Sequence, residues 1–295
     1  MNIKDLSLIT WKEIKDIDKQ NSILFVTMAP IEEHGLCLPL ATDLIEGEHW
    51  SKDAMLKLEE KEGYKCFYLP AFPIAAASVN EFYGCIHFSM NTTYVVAREL
   101  LDNLVHMGFM NIVLIASHAD PVHHIAVEKA VRRVNKHYGI RAISPLGAFF
   151  SLEELGIKHL SPKLILEMVK KYTNDFHAGW IETSSLIAIK KNFVREGYKE
   201  LPRTFINDRD IISKKKQLAA MGEYGHLGNP AVADKELGEL INQDIAEFIV
   251  AAVKSFVKRE NYKIYMHHFL YRIPFLHLGF IRKTKWRKTG KKVAK

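Results

Sequence analysis

The 295-residue chain is 48% hydrophobic and 25% charged, the composition of a globular protein with enough apolar side chains for a buried core. No apolar run reaches the roughly 18–20 residues that a membrane span needs, so transmembrane helices are excluded. The formal net charge of +7 is unevenly placed: residues 259–295 hold 11 Lys/Arg against one acid, Glu260, leaving 30 Lys/Arg against 33 Asp/Glu before them. The body is mildly acidic and the tail basic, so the overall charge is no argument that the folded body binds nucleic acid. The N-terminus, MNIKDLSLITWKE, lacks the apolar stretch of a secretory signal. Three cysteines (Cys37, Cys66, Cys85) without CxxC spacing argue against a disulfide framework, and a cytoplasmic location is expected.

In chain order, short apolar runs alternate with amphipathic patterns, as in an α/β fold. Ser22 to Met28 (SILFVTM), Cys66 to Leu69 and Asn111 to Ala116 (NIVLIA) read as buried strands. Ala97, Leu100, Leu101, Leu104 and Val105 share one face of a helix ending near Gly108. Leu240, Ile241, Ile245, Phe248, Ile249, Ala252, Val253 and Phe256 mark a long C-terminal helix. No repeat or linker interrupts the chain before about residue 258. A single α/β domain over residues 1–258, followed by an aromatic, His-containing and basic extension over 259–295, is the expected organisation.

Three groups combine histidine with carboxylates. The first, residues 29–43 (APIEEHGLCLPLATD), follows the strand ending at Met28 and offers Glu32, His34 and Asp43, a donor mixture that suits Zn²⁺ or Mn²⁺. Glu32 and His34 are two apart, so at an extended strand end they point the same way, with Glu33 pointing to solvent or an interface. Taken alone, this is also how an ordinary polar loop reads. The second group, Ser117-His118-Ala119-Asp120, repeats the spacing behind the strand ending at Ala116. Carboxyl ends of strands in open α/β sheets are where ligands bind, and two such pairs favour a metal site. The third group holds Asp175, His177, Gly179, Trp180, Glu182, Thr183 and Ser184 ahead of the apolar run LIAI.

These residues also carry a resemblance. Residues 29–43 are similar to the creatininase (creatinine amidohydrolase) signature G-x-x-E-Q-H-G-P-H-L-P-L-x-T-D, keeping its E, HG, LPL and TD. Residues 82–89 (FYGCIHFS) resemble the family's F-P-G-T-x-S-L, and residues 106–109 (HMGF) its H-G-F. Ser117-His118 stands where the family has N-G-H, and His177-Ala178-Gly179 with Glu182-Thr183-Ser184 resembles H-A-G-x-x-E-T-S. Residues 225–233 (GHLGNPAVA) are similar to the late G-x-x-G-x-P-x-x-A. The resemblance spans residues 6–257. It implies a single three-layer αβα domain with a mostly parallel sheet, a two-metal hydrolase, and assembly as a homo-oligomer, usually a hexamer.

By that resemblance, Glu32, His34, Asp43 and His118 fall on metal ligands, with Asp43 on the bridging carboxylate. Asp120 falls on the glutamate that creatininase itself uses as a fifth ligand, and His177 on the proton-transfer histidine. The expected cofactors are two divalent ions per chain, Zn or Mn, with Fe a further candidate. Asp120 and His34 are expected on the second ion, because two carboxylates alone face four positive charges. Glu182 is expected to orient His177 or a substrate group; the other reading of Asp120 is a cap for a helix opening at Pro121. The expected reaction is hydrolysis of a C–N bond in a cyclic or small linear amide. A catalytically weakened binding or scaffold protein, or a hydrolase opening a C–C bond of an oxidised ring, are the alternatives.

Departures from the signature surround the ligands. The family Gln is Glu33, its Pro-His is Leu36-Cys37, its N-G-H-G-G-N loop is ASHADP, and the fourth position of H-A-G-E is Trp180. Trp180, Cys37 and Tyr83 are the candidate substrate-pocket residues, although Trp180 beside a helix start reads more readily as core. His123 and His124 read as surface or near-site polars, and His87 as a structural histidine. Neither Cys37 nor Cys85 has a neighbouring base to make it a nucleophile. The tail interleaves aromatics and histidines before a basic run, which reads either as a packed extension or as a surface for anionic lipid or nucleic acid.

Overall fold

The computed structural model describes residues 4–78, 81–207, 209–211 and 213–277. Its elements are β1 (Lys4–Asp5), α1 (Trp11–Lys15), β2 (Ser22–Met28), α2 (Thr42–Glu62), β3 (Lys65–Phe72), α3 (Met90–His106), β4 (Asn111–Ala116), α4 (Pro121–Tyr138) and β5 (Arg141–Ile143). There follow α5 (Leu146–Phe149), α6 (Leu152–Leu155), α7 (Lys163–Lys171), α8 (Trp180–Lys190), α9 (Lys214–Met221) and α10 (Lys235–Lys258). The five strands form one parallel sheet in the order β1-β3-β2-β4-β5.

Every residue of β2 and β4 is buried, as a strand covered on both faces requires. Alternation sorts their side chains. Ile23, Phe25, Val113 and Ile115 face α2, α8 and α10, where they meet Trp50, Met55, Leu58, Leu186, Ile245 and Ile249. Leu24, Val26, Met28, Ile112 and Leu114 face α3 and α4, against Ala97, Leu101, Leu104, Ala126, Ala130 and Val134. Each such fully buried aliphatic or aromatic side chain contributes roughly 1.5–3 kcal/mol by leaving water. The result is three layers, helix–sheet–helix.

Helix ends follow local chemistry. Ser89, Asp120 and Asp234 accept backbone N–H groups at the starts of α3, α4 and α10, and Gly63 and Gly139 close α2 and α4 in the left-handed region. From β2 the chain turns to α2 on one face, whereas from β4 it turns to α4 on the other. β2 and β4 are neighbours. Their carboxyl ends therefore open a crevice at the switch in direction, the place where such sheets bind ligands. At Gly47, α2 comes so close to this crevice that a Cβ would sit 2.3 Å from Ser117 Oγ.

After α10 the chain does not leave the body. Short 3₁₀ turns at Tyr262–Tyr265, Phe269–Arg272 and Pro274–His277 pack back, and Tyr271 is buried in the core layer of α3 and α4. The basic run over residues 282–295 lies outside the described residues. The His268 amide donates to Glu128 Oε1 at 2.8 Å, and Glu128 Oε2 lies 3.3 Å from His267 Nδ1. Glu128 is fully buried, which pushes its carboxyl well above the ordinary range. His267 offers no compensating charge, since burial and then Arg132 and Arg272 lower its pKa to about 4.

Folded protein thus keeps a proton on Glu128 that the unfolded chain releases near pH 4.3, roughly, so this group costs stability as pH rises beyond that point. Glu128→Gln keeps the acceptor for His268 and removes the titration. Thermal melts are expected to show a higher midpoint than wild type at pH 8 and a flatter profile between pH 5 and pH 8. An unchanged or lower midpoint at pH 8 would mean that a charged Glu128 is stabilised by a protonated His267.

Candidate metal centre

The crevice gathers side chains from three places in the chain. Behind β2, His34 turns Nδ1 to the Glu32 carbonyl at 3.0 Å, so Nδ1–H donates there and Nε2 is directed into the crevice. That Nε2 lies 3.3 Å from Asp43 Oδ1. Asp43 stands in the first turn of α2, and its second oxygen, Oδ2, lies 3.1 Å from Nδ1 of His118, which follows β4. The same His118 nitrogen is 3.2 Å from Glu32 Oε2. One carboxylate therefore faces two imidazoles from opposite sides. All four residues are buried, each 7% exposed or less.

The third contribution comes from the start of α8. Ala178, at φ 49°, holds the left-handed conformation an L-residue adopts only at a cost of order 1 kcal/mol, and it turns His177 inward. His177 stacks on His34 with ring centroids 4.6 Å apart. Glu182 Oε2 accepts the Ala178 amide at 2.5 Å and comes to 4.0 Å from His34 Nε2. Asp175 fixes this corner: its carboxylate accepts amides of Trp180, Ile181 and Asn229, in a space kept open by Gly179 and Gly228.

Among the described residues, three sets of ligand atoms lie within 4.8 Å of one another: Glu32/Asp43/His118, His34/His177/Glu182 and Asp43/Glu46/Glu182. Among the described residues, Glu46 Oε1 and His118 Nε2 are buried without a hydrogen bond, and Glu32 Oε2 and Asp43 Oδ2 share the single His118 Nδ1. Orphaned buried polar atoms of this kind need a partner, and mixed carboxylate and imidazole donors fit a divalent cation such as Zn²⁺ or Mn²⁺.

The electrostatics agree. Burial alone would lower the His118 pKa, yet Glu32 and Asp43 override it and lift it to about 10. Burial likewise opposes a charged His34, and the Asp43 carboxylate raises it well above the ordinary value. Burial would raise Asp43, but His34 and His118 hold it below the carboxylate range. Glu32 and Glu46 are pushed up, chiefly by burial. A crevice this rich in carboxylates holds positive charge wherever it can.

Several sequence expectations change. Asp120 is not brought to His34: Oδ1 accepts the Val122 amide, and Oδ2 accepts the Ser78 amide at 2.5 Å. Oδ1 thus caps α4, and Asp120 belongs to none of the three ligand sets above. The carboxylate that stands beside His34, besides Asp43, is Glu182, with Oε2 4.0 Å from Nε2. Trp180 is no pocket wall; it is fully buried in the core under α8. Tyr83 is fully exposed, and Cys37 is buried, which raises its thiol pKa. Cys85 Sγ accepts the Glu33 amide at 3.4 Å, and burial raises its thiol pKa.

Glu33 is buried rather than turned to solvent. Its Oε1 lies 3.2 Å from His177 Nε2, while Oε2 accepts the Gly35 amide. Gly35, at φ +64°, bends the chain, so the two-residue alternation of an extended strand fails there. Glu46 was not anticipated, although its place one turn after Asp43 on α2 is an i, i+3 relation that the sequence displays. His123 and His124 are fully buried, not surface groups. His123 Nε2–H donates to the Met28 carbonyl at 3.0 Å, and burial lowers its pKa to about 4. Successive ring centroids from His118 through His123 and His124 to His268 are 5.9, 6.0 and 5.8 Å apart.

Asp120→Asn tests the reassignment. It keeps one acceptor and loses the other, so the melt is expected to shift down by about 1 kcal/mol in stability. Metal content, measured by plasma mass spectrometry, is expected to stay at the wild-type level. Loss of one equivalent with unchanged folding would restore Asp120 as a ligand.

Comparison with known proteins gives this geometry a lineage. No curated protein matches the chain. Among solved structures, a putative creatinine amidohydrolase from Bacteroides fragilis is 22% identical, with a TM-score of 0.66 over 89% of this chain and 100% of the other. A structure described as creatininase Mn is 16% identical, with a TM-score of 0.67 over 86% of this chain and 99% of that one. A glutamate-to-glutamine creatininase mutant complexed with creatine is 17% identical, at 0.65 over 85% and 97%. These likenesses show the shared αβα fold. The sequence model for creatininase (creatinine amidohydrolase) matches residues 7–253, and on that match the chain belongs to the creatininase family.

Proposed function

We propose that this chain is a metal-dependent hydrolase that opens a C–N bond in a cyclic or small linear amide. The observation that carries the reading is Asp43, one carboxylate with Oδ1 toward His34 and Oδ2 toward His118. Glu32, Asp43 and His118 would hold one divalent ion, and His34, Asp43 and Glu182 a second, Zn or Mn in each place. Three carboxylates then stand against four positive charges, a better balance than two. Such ions, when bound, supply Lewis acidity and lower the pKa of water.

The chain's own groups do the rest. His34 is locked in one tautomer by the Glu32 carbonyl, which keeps Nε2 directed at the centre. His177 sits half-buried at its edge, with Nε2 shared between the Glu33 carbonyl at 2.8 Å and the Glu33 carboxylate. Burial opposes its charge, and the Glu33 hydrogen bond raises its pKa above the ordinary value. A histidine so placed holds a proton near neutral pH and can deliver it to the leaving nitrogen. Glu33 is the positioning group for that proton.

The test is metal content together with turnover on creatinine, other cyclic amides and formamides. Purified protein is expected to carry divalent metal and to hydrolyse at least one of these classes. His177→Gln is expected to keep its metal and lose roughly 10²–10⁴-fold in kcat, the usual share of general acid–base catalysis. Well under one ion per chain, with no turnover on adding Zn²⁺ or Mn²⁺, would overturn the proposal.

A further inference from the structure

Glu46 has no part in the two ion positions proposed above, although it is aimed at the same crevice. It follows Asp43 by three residues on α2, so both side chains leave one face of the helix. No motif of the family resemblance reaches it. Glu46 is 2% exposed, and its Oε1 is buried without a hydrogen bond. Ser185 of α8 stands within reach of the carboxyl, yet its hydroxyl donates to Asn242 Oδ1 at 2.7 Å. What Glu46 does meet is charge of its own sign. Ligand oxygens of Asp43, Glu46 and Glu182 lie within 4.8 Å of one another. Like charges this close repel strongly in a buried setting, so such a triad is held together by a cation or by protons.

We propose that Glu46 is a fourth donor to the second ion, alongside His34, Asp43 and Glu182. This rests on the two-ion reading of the centre. Donor atoms about 2.1 Å from one ion stand at most about 4.2 Å apart, so a set within 4.8 Å closes on a common ion with small side-chain shifts. His34 Nε2 is already inside that span, 3.3 Å from Asp43 Oδ1 and 4.0 Å from Glu182 Oε2. With Glu46 included, the carboxylates of Glu32, Asp43, Glu46 and Glu182 stand against the four positive charges of two divalent ions. The orphaned Oε1 gains a partner, and no net charge is left buried. Three carboxylates and one imidazole also make the second position richer in hard oxygen donors than the first, a set that suits Mn²⁺.

Dialysis of the full-length, Mn²⁺-loaded protein against graded EDTA, with retained metal measured by plasma mass spectrometry, tests this. Glu46→Gln keeps the size of the side chain and removes its charge. The variant is expected to give up one of its two ions at a chelator concentration tenfold or more below that for wild type, and the other ion as wild type does. Release of both ions as in wild type would overturn the proposal. Equal weakening of both would also overturn it, as the mark of a general packing defect. Anomalous diffraction from wild-type crystals decides the matter without a variant. An oxygen of Glu46 is expected about 2.0–2.2 Å from the ion beside His34. Glu46 paired with Glu182 through a shared proton, with no oxygen on the ion, would overturn the proposal. Wild type holding fewer than two ions would sink the two-ion reading itself, whereas two ions held equally by both proteins would sink the role of Glu46 alone.

Discussion

Asp43→Ala is expected to empty the centre. The Asp43 carboxylate is the group that faces both His34 and His118, so its removal takes a donor from each ligand set at once. Loss of an outer partner of a metal ligand typically costs 10–100-fold in affinity, and loss of a shared ligand is expected to cost at least about 100-fold for both ions. Plasma mass spectrometry of the purified variant should find little metal, and turnover should fall to background. Folding is expected to survive, because Asp43 is a first-turn residue on a helix of 21 residues whose core contacts come from Trp50, Ala54, Met55 and Leu58. Near-normal metal content would contradict the bridging role.

Trp180→Ala is expected to carry the largest stability cost. Trp180 is fully buried, and its truncation leaves a cavity between α8 and the sheet, worth about 3–5 kcal/mol. At roughly 2–4 °C per kcal/mol for a large domain, the melting midpoint should drop by about 10 °C. Protein that remains folded should keep its metal and its KM. A small stability loss with a raised KM would instead make Trp180 a wall of the substrate pocket.

The central strands and the long helices were legible because their patterns are local. β2 and β4 are continuous buried runs, and the stripe from Ala97 to Val105 falls on α3. The edge strands β1 and β5, of two and three residues, are too short to leave a pattern. Glu32, His34, Asp43 and His118 were legible because their types, spacing and strand-end placement all agree. Glu33 was not, since alternation holds only while the backbone stays extended and Gly35 turns it. His123 is buried against the end of β2 and His124 against His268 of the extension, contacts from far along the chain that no local pattern records. Asp120 illustrates a true ambiguity. An aspartate before proline suits either a cap or a ligand, and the contact of its second oxygen with the Ser78 amide, 42 residues away, leaves no local pattern.

Anomalous diffraction from a crystal of the full chain, recorded at the zinc and manganese edges, addresses the central claim most directly. The account predicts two peaks, one on each side of the Asp43 carboxylate, the first beside Glu32 and His118 and the second beside His34 and Glu182. A single peak that Asp43 does not touch, or a second ion held by Asp120 with Glu182 turned away, would contradict it.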